Sequence, residues 1–178
     1  MENNNKSIVS DFYAKVLRYS DTKLADIIIK EDYIQHSPTV KTGKAGLKEF
    51  LGFLKQMPKP ENPPTPFFRF IADGNFVAVH LWIEFMGQAK AVVDLFRLEG
   101  GQLAEHWDAS EDIPELDEND HDAVAGPFPN ESDEDTELNK SIVSDFVNRV
   151  LIGREDSWQD YLSDQLIQHN PGLDDGID

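Results

Sequence analysis

The sequence has no cysteine, little positive charge and no long apolar run. The lack of cysteine excludes disulfides, thiolate zinc sites and cysteine nucleophiles. The chain contains 16 Lys and Arg but 34 Asp and Glu. This balance argues against a nucleic-acid partner, because phosphate binding requires a cationic face. The N-terminus, MENNNKSIVSDF, lacks the apolar region of a signal peptide, and no segment is long enough to span a membrane. We therefore expect a cytoplasmic protein without nucleic-acid or membrane partners.

The negative charge is concentrated in one segment. Residues 111–139 contain twelve acidic side chains and no Lys or Arg, within a total net charge of −18. Without this segment the net charge is about −6, which is ordinary for a protein surface. We interpret residues 116–138 as a solvated acidic linker.

The N-terminal part of the chain is partly repeated near its end. NKSIVSDF occurs at 5–12 and 139–146, and YIQHSP at 33–38 resembles LIQHNP at 166–171. The repeat predicts a domain at 1–115 and an incomplete second copy of its N-terminal helices at 139–178. The second copy either docks on the first domain, swaps with another subunit or is a truncated remnant. Recent duplication explains the repeat as well as a shared catalytic loop does, so it does not assign a role to His36 or His169.

The periodicity of the first domain predicts helices followed by strands. A helix is expected over 6–19 with Asn5 as its cap, and two more near residues 24–28 and from Gly43. YIQHSP is expected to be a non-helical link. Four β-rich segments follow at 67–72, 76–85, 90–98 and 102–109, separated by glycine turns. This order predicts an α+β domain with an antiparallel meander and helices on one face.

Strand register decides which side chains share a pocket. With three-residue loops at 86–88 and 99–101, His80, Asp94 and His106 align across three adjacent strands. Trp82, Phe96 and Asp108 would join that face. A two-residue Gly100-Gly101 turn would instead pair Asp94 with Trp107, and both turn types are common. We adopt the first register as a hypothesis.

A carboxylate between imidazoles suits proton transfer near neutral pH. The carboxylate orients an imidazole and stabilises its cation, and apolar walls shift pKa values toward useful ranges. The alternative is a buried polar network that only satisfies its own hydrogen bonds.

An ordered set of motifs resembles the SnoaL-like polyketide cyclase family, within the nuclear-transport-factor-2-like superfamily. The motifs, which lie between about residues 6 and 115, are YIQHSP, GKAGLKEFL, DGNFVAVH, VVDLFRLEGGQLAEHWDA and IPE. The resemblance implies a curved antiparallel sheet that forms a cone-shaped pocket closed by the N-terminal helices. It also implies a homodimer through the outer sheet face, and aldol-type cyclisation or isomerisation without a metal or cofactor. The acidic linker and the second copy lie outside the family pattern.

These observations give one set of candidate site residues. Asp94 and His106 are the expected acid/base pair, on a small hydrophobic carbonyl ligand. His36 and His80 are expected as secondary donors and Asp108 as a reserve base, while the ligand-contact candidates are Trp82, Phe96 and Tyr33. Trp82 and Phe96 are better explained as core or pocket-wall residues than as specific ligand platforms. His36, His80 and His106 lack the close spacing of a metal triad. A non-catalytic module that binds a hydrophobic ligand or serves assembly is the alternative function.

Overall fold

The computed structural model describes residues 2–58, 67–114, 121–127, 135–170 and 172–176. The chain divides into two compact units, Met1–Ile113 and Pro114–Asp178. The helices of the first unit are α1 (Glu2–Asp11), a π-helical segment (Phe12–Leu17), α2 (Thr22–Ile28) and α3 (Gly43–Gln56). Its strands are β1 (Ile29–Gln35), β2 (Phe67–Asp73), β3 (Phe76–Phe85), β4 (Gln88–Glu99) and β5 (Gln102–Asp112). The unit is thus an α+β domain, as predicted.

The first helix is longer and less regular than its periodicity suggests. It begins at Glu2 and passes directly into the π-helical segment at Phe12. The prediction that Asn5 caps this helix is wrong, because Asn5 lies inside α1. Its side chain is buried, and Nδ2 donates a hydrogen bond to the carbonyl of Gly74 at 3.1 Å. Asn5 therefore ties α1 to the β2–β3 turn.

The sheet has one more strand than the sequence indicated. The strand order is β1-β5-β4-β3-β2, and β1 pairs in parallel with β5 whereas all other pairs are antiparallel. The prediction of a purely antiparallel sheet is therefore wrong at the β1 edge. The YIQHSP segment is not helical, as predicted, but its first three residues belong to β1. Its pairing with β5 is long-range, and local sequence patterns do not report such pairing.

Both predicted hairpin loops are shorter in the structure. Phe85 pairs with Gln88, so Met86 and Gly87 form a two-residue turn with φ values of 56° and 79°. Gly100 and Gly101 likewise form a two-residue turn. Positive φ at both central positions matches the right-handed twist of the strands. The three-residue loops were therefore wrong.

The two wrong loop lengths affect the predicted faces of the strands differently, because only the β4–β5 hairpin contains a register shift. In β4–β5, a register shift follows Leu98–Leu103, so that Arg97 pairs with Glu105 and Asp94 with Asp108. The shift returns Asp94 and His106 to the same face, although they are not direct partners. In β3–β4 no such shift occurs, and Asp94 pairs with Val79 rather than His80.

The core lies between the helices and the inner face of the sheet. Residues from every helix and from four strands contribute to it. Its large members, all under 2% exposed, are Tyr33, Phe96, Ile29, Leu51, Leu81, Leu98, Leu103, Val9, Val16, Val77 and Val79. Asp94 and His106 are buried beside this apolar cluster.

The second unit contains α4 (Thr136–Asp145), a π-helical segment (Phe146–Ile152) and a 3₁₀ turn (Trp158–Asp160). In both copies the final Phe of NKSIVSDF is the first residue of a π-helical segment. In the second unit Val143 is 60% exposed, whereas its counterpart Val9 is fully buried. Much of the predicted linker 116–138 and of the proline-rich segment 57–66 lies outside the described residues.

Candidate active site

Asp94 and His106 meet on the inner face of the sheet. Both are more than nine-tenths buried, and Nε2 of His106 lies 3.2 Å from Oδ1 of Asp94. This approach has the distance of an ion pair but not the alignment of a hydrogen bond. Nε2 is consequently a buried nitrogen without a hydrogen-bond partner among the described atoms. An unsatisfied buried polar atom is costly unless a function uses it.

Tyr13 supplies the second contact of the carboxylate. It lies in the π-helical segment that follows α1, and its hydroxyl donates a hydrogen bond to Oδ2 of Asp94. Burial raises the pKa of the Tyr13 phenol well above its ordinary value, and the nearby Asp94 carboxylate raises that pKa further. The phenol therefore stays a hydrogen-bond donor at neutral pH.

Gln35 and Tyr33 complete the polar cluster from β1. Gln35 pairs in register with His106, and its Oε1 lies 3.0 Å from Nδ1 of His106. Nε2 of Gln35 donates to the hydroxyl of Tyr33 at 3.3 Å. Burial raises the pKa of the Tyr33 phenol, and the carboxylates of Asp94 and Asp108 raise it further. Tyr33 is therefore also protonated at neutral pH.

Aromatic rings surround this cluster. Phe96 stacks on the His106 imidazole, with ring centroids 4.4 Å apart and planes 15° from parallel. Phe12 and Tyr13 both contact Phe96 edge to face. Asp108 lies on the same sheet face as Asp94 but is exposed, at the open end of the cluster. The structure thus brings together Asp94, His106, Phe96 and Tyr33, with Asp108 at the rim.

His80 and Trp82 lie on the opposite, outer face of the sheet. Because the β3–β4 turn has two residues, the β3 side chains that face inward are instead those of Val77, Val79 and Leu81. His80 pairs in register with Arg69, and Arg69 Nη1 lies 3.1 Å from His80 Nδ1. The predicted alignment of His80 and Trp82 with Asp94 is therefore wrong.

His36 also lies away from the inner cluster. Its imidazole stacks on Trp107, with centroids 4.8 Å apart, and Nε2 lies 2.8 Å from Oε1 of Glu105. Glu105 and Trp107 belong to the outer face of β5, and Arg97 Nε donates to Glu105 at 2.8 Å. His36 and Arg97 together lower the pKa of the Glu105 carboxyl. The prediction of His36 as an inward donor fails because alternation along an extended chain points its neighbour Gln35 inward.

Sequence reasoning missed Tyr13 and Gln35. The repeat contains a signal for Tyr13, because the aligned residue of the second copy is Val147 and cannot donate to a carboxylate. Gln35 becomes identifiable once residues 29–35 are treated as a strand, since it then shares a face with Tyr33. The local sequence alone did not justify that treatment.

Other features of the described residues lie outside this cluster. A cleft of about 730 Å³ lies in the second unit, lined by Trp158, Gln159, Asp164, Gln165, Leu166, Ile167, Asp175 and Gly176. Asp175 of this cleft belongs to a separate carboxylate–imidazole pair, in which its Oδ2 lies 2.8 Å from Nε2 of His121 and both side chains are partly exposed. Across the described ranges, no three His, Cys, Asp or Glu side chains converge as a metal site. None of the helices there has the length and apolar character of a membrane crossing.

Comparison with known proteins identifies the fold. No family model and no curated protein matches the sequence. An NTF-2 like protein of unknown function from Burkholderia xenovorans LB400 matches with TM-score 0.50 and 15% identity, over 64% of this chain and 88% of that one. The fold is NTF2-like.

Two further solved structures share this NTF2-like fold. TsrD from Streptomyces laurentii matches with TM-score 0.51 and 15% identity, over 61% of this chain and 89% of that one. A candidate ketosteroid isomerase from Kribbella flavida DSM 17836 matches with TM-score 0.51 and 16% identity, over 73% and 93%. At these identities the likeness establishes the α+β cone architecture.

Proposed function

We propose that the first unit catalyses proton transfer on a small, mostly apolar carbonyl compound, with Asp94 and His106 as the acid/base pair. The observation that carries this proposal is the buried Nε2 of His106, which has no hydrogen-bond partner within the described ranges and lies 3.2 Å from Asp94 Oδ1. An imidazole in this position can exchange a proton with a ligand while the carboxylate balances its charge.

The reaction would begin at the carbon next to the carbonyl group. The acid/base pair takes a proton from this carbon, the C–H bond breaks, and its electrons move to the carbonyl oxygen. The Tyr33 hydroxyl donates a hydrogen bond to the developing oxyanion, because the O–H of Tyr13 is already donated to Asp94. Return of the proton to another carbon gives isomerisation, whereas attack of the enolate on a second carbonyl gives an aldol-type ring closure.

The surrounding residues suit this chemistry. The raised pKa values of Tyr13 and Tyr33 keep both phenols protonated, Tyr13 as the donor to Asp94 and Tyr33 as the donor to the oxyanion. Phe96 and Phe12 exclude water, which strengthens electrostatic interactions within the site. The name of one structural relative, a candidate ketosteroid isomerase, supports the choice of a carbonyl substrate. Asp108 at the rim remains a predicted reserve base.

The test uses Asp94→Asn in the full chain. Ligands are first found by thermal shift with cyclic ketones and polyketide-like compounds, and turnover of the hits is then measured. We expect Asp94→Asn to lower kcat by about 10²- to 10⁴-fold with little change in ligand affinity. Asp32→Asn is the matched control, because it removes the same charge from a side chain that is 79% exposed on β1. Equal turnover by Asp94→Asn and the native protein would contradict the proposal.

One observation favours the non-catalytic alternative. Both oxygens of Asp94 already have contacts within the protein, to Tyr13 and to His106. In this alternative the cluster has only a structural role, in a module that binds a hydrophobic ligand or serves assembly. Ligand binding without turnover in the native protein would select this alternative.

A further inference from the structure

The Gln35 side chain has a fixed orientation. Oε1 accepts a hydrogen bond from the backbone N–H of Ser37 at 3.1 Å. A backbone N–H only donates, so the atom facing it is the amide oxygen and not the amide nitrogen. Nε2 then points to the Tyr33 hydroxyl, at 3.3 Å. The backbone N–H of Gln35 donates to Oγ1 of Thr42 at 3.1 Å, which holds the loop closed from the other side.

The second copy of the sequence builds the same loop. Oε1 of Gln168 accepts from the backbone N–H of Asn170 at 3.0 Å, and Gln168 N–H donates to Oδ1 of Asp175 at 2.7 Å. Asp175 occupies the position of Thr42 and precedes Gly176, as Thr42 precedes Gly43. Both glycines have positive φ, 81° and 85°. Local sequence alone therefore sets the amide orientation, since the second copy reproduces it without a described strand.

This orientation determines where His106 holds its proton. The amide oxygen of Gln35 lies 3.0 Å from Nδ1 of His106, and an oxygen acceptor requires a hydrogen on that nitrogen. The neutral imidazole then leaves Nε2 without a proton. Nε2 is the atom near Asp94 for which the described part of the chain provides no hydrogen-bond partner. The loop thus selects which nitrogen is available for chemistry.

We propose that Gln35 is a positioning residue, which holds His106 as the Nδ1-protonated tautomer and reserves Nε2 for proton exchange. The inference rests on the proposed function for its catalytic meaning, but its structural content is independent of turnover. It also accounts for the repeated hexapeptide: the glutamine that both copies share builds the loop in each, and in the first copy its amide oxygen faces the imidazole of His106.

The tautomer can be measured without a substrate. The full-length protein is labelled with ¹⁵N-histidine, and long-range ¹H–¹⁵N spectra are recorded above the pH at which the imidazoles are charged. The chain contains five histidines, and the spectrum of His106→Gln identifies the His106 signals by their loss. We expect His106 to show a protonated Nδ1 and an unprotonated Nε2. A protonated Nε2 in the native protein would overturn the inference.

Three variants complete the test. Gln35→Met keeps the length of the side chain but removes the acceptor, and we expect His106 to shift toward the Nε2-protonated tautomer. Gln35→Glu keeps an acceptor and should retain the Nδ1-protonated form. Gln168→Met removes the equivalent oxygen of the second copy and should leave the His106 signals unchanged. Retention of the Nδ1-protonated form in Gln35→Met would overturn the inference, and the native spectrum alone decides if that variant does not fold.

Turnover separates this inference from the proposed function. If a substrate is found, Gln35→Met should lower kcat by about 10- to 100-fold with little change in KM, because outer partners orient the reacting group. If no compound turns over but the tautomer results hold, the function fails while the positioning of His106 stands. If Asp94→Asn abolishes turnover and Gln35→Met changes neither kcat nor the tautomer, the function stands and the role of Gln35 is rejected.

Discussion

The inner cluster depends on single atoms whose partners lie far apart in the sequence. Tyr13, Gln35, Asp94 and His106 come from the π-helical segment and three strands. The acid/base pair was predictable from residue types and strand parity. Tyr13 and Gln35 were not, because their contacts require the helix to close over the sheet and β1 to pair with β5. His36 is the opposite case: its residue type suggested a role in the site, but its side chain lies on the outer face.

Loss of the Tyr13 hydroxyl should destabilise the protein. Tyr13→Phe leaves Oδ2 of Asp94 without its hydrogen-bond donor in a buried position. We expect the free energy of unfolding in urea to fall by about 1–3 kcal/mol at neutral pH. Tyr19→Phe is the control, because Tyr19 is 65% exposed and should change stability by less than about 0.5 kcal/mol. Equal effects of the two substitutions would argue against the Tyr13–Asp94 contact.

At the scale of elements, α3 contains two glycines in different surroundings. A Cβ added at Gly46 would lie 2.2 Å from the carbonyl oxygen of Lys41, which is sterically forbidden. A Cβ at Gly52 would meet no atom within 4 Å. Gly46 therefore lets the loop after β1 pass close to α3, and it contributes to the placement of Gln35.

Alanine at these two positions should have opposite effects. Gly46→Ala should lower the midpoint of thermal unfolding, because the helix or the loop must move to accommodate the methyl group. Gly52→Ala should raise stability by about 0.5–1 kcal/mol through the lower backbone entropy of alanine. Calorimetry of both variants checks the pair, and a stabilising Gly46→Ala would show that the close approach is absent.

The β3–β4 turn offers a test of the observed register. Met86 has a φ of 56° and is 72% exposed, a conformation that asparagine tolerates better than methionine. Met86→Asn creates the Asn-Gly pair that two-residue turns prefer, and we expect a gain of up to about 1 kcal/mol. Denaturant titration measures it. The three-residue loop would give no such preference, so a loss of stability would favour that loop.

At the scale of the whole molecule, the buried phenols link stability to alkaline pH. The pKa values of Tyr13 and Tyr33 are raised above the ordinary value of 10.0 in the folded state. Above about pH 10 the unfolded chain therefore loses protons that the folded chain retains. The stability from these groups is fully present below that pH and declines as pH rises toward the folded-state pKa values.

The expected slope is up to about 1.4 kcal/mol of unfolding free energy per pH unit for each phenol. Urea titrations between about pH 9 and pH 11 measure it. Tyr33→Phe and Tyr13→Phe should each reduce the slope. If neither Tyr13→Phe nor Tyr33→Phe changes the slope, the raised pKa values of these two phenols are not the source of the pH dependence.

The homodimer through the outer sheet face and the cytoplasmic location stay predictions. Val93, between the inward residues of β4, is 50% exposed on this outer face. If the face is an interface, Val93→Lys should convert a dimer to a monomer in light scattering, because a charge would be buried there. Ile27→Lys is the control, because Ile27 is 67% exposed on α2 and not on the outer sheet face. A native monomer would reject the prediction.

The sequence by itself determined the α+β order, the positions of α2, α3 and β2–β5, and the inner placement of Asp94, His106 and Phe96. These follow from local periodicity and from the parity of side chains along a strand. In β4–β5 the register shift offset the wrong loop length, so the predicted parity held there. Tertiary structure decided the parallel β1–β5 pairing, the outer position of His36 and His80, and the contacts of Tyr13 and Gln35. The physical reason is that strand pairing and helix closure join residues up to 81 positions apart, so no local pattern specifies them.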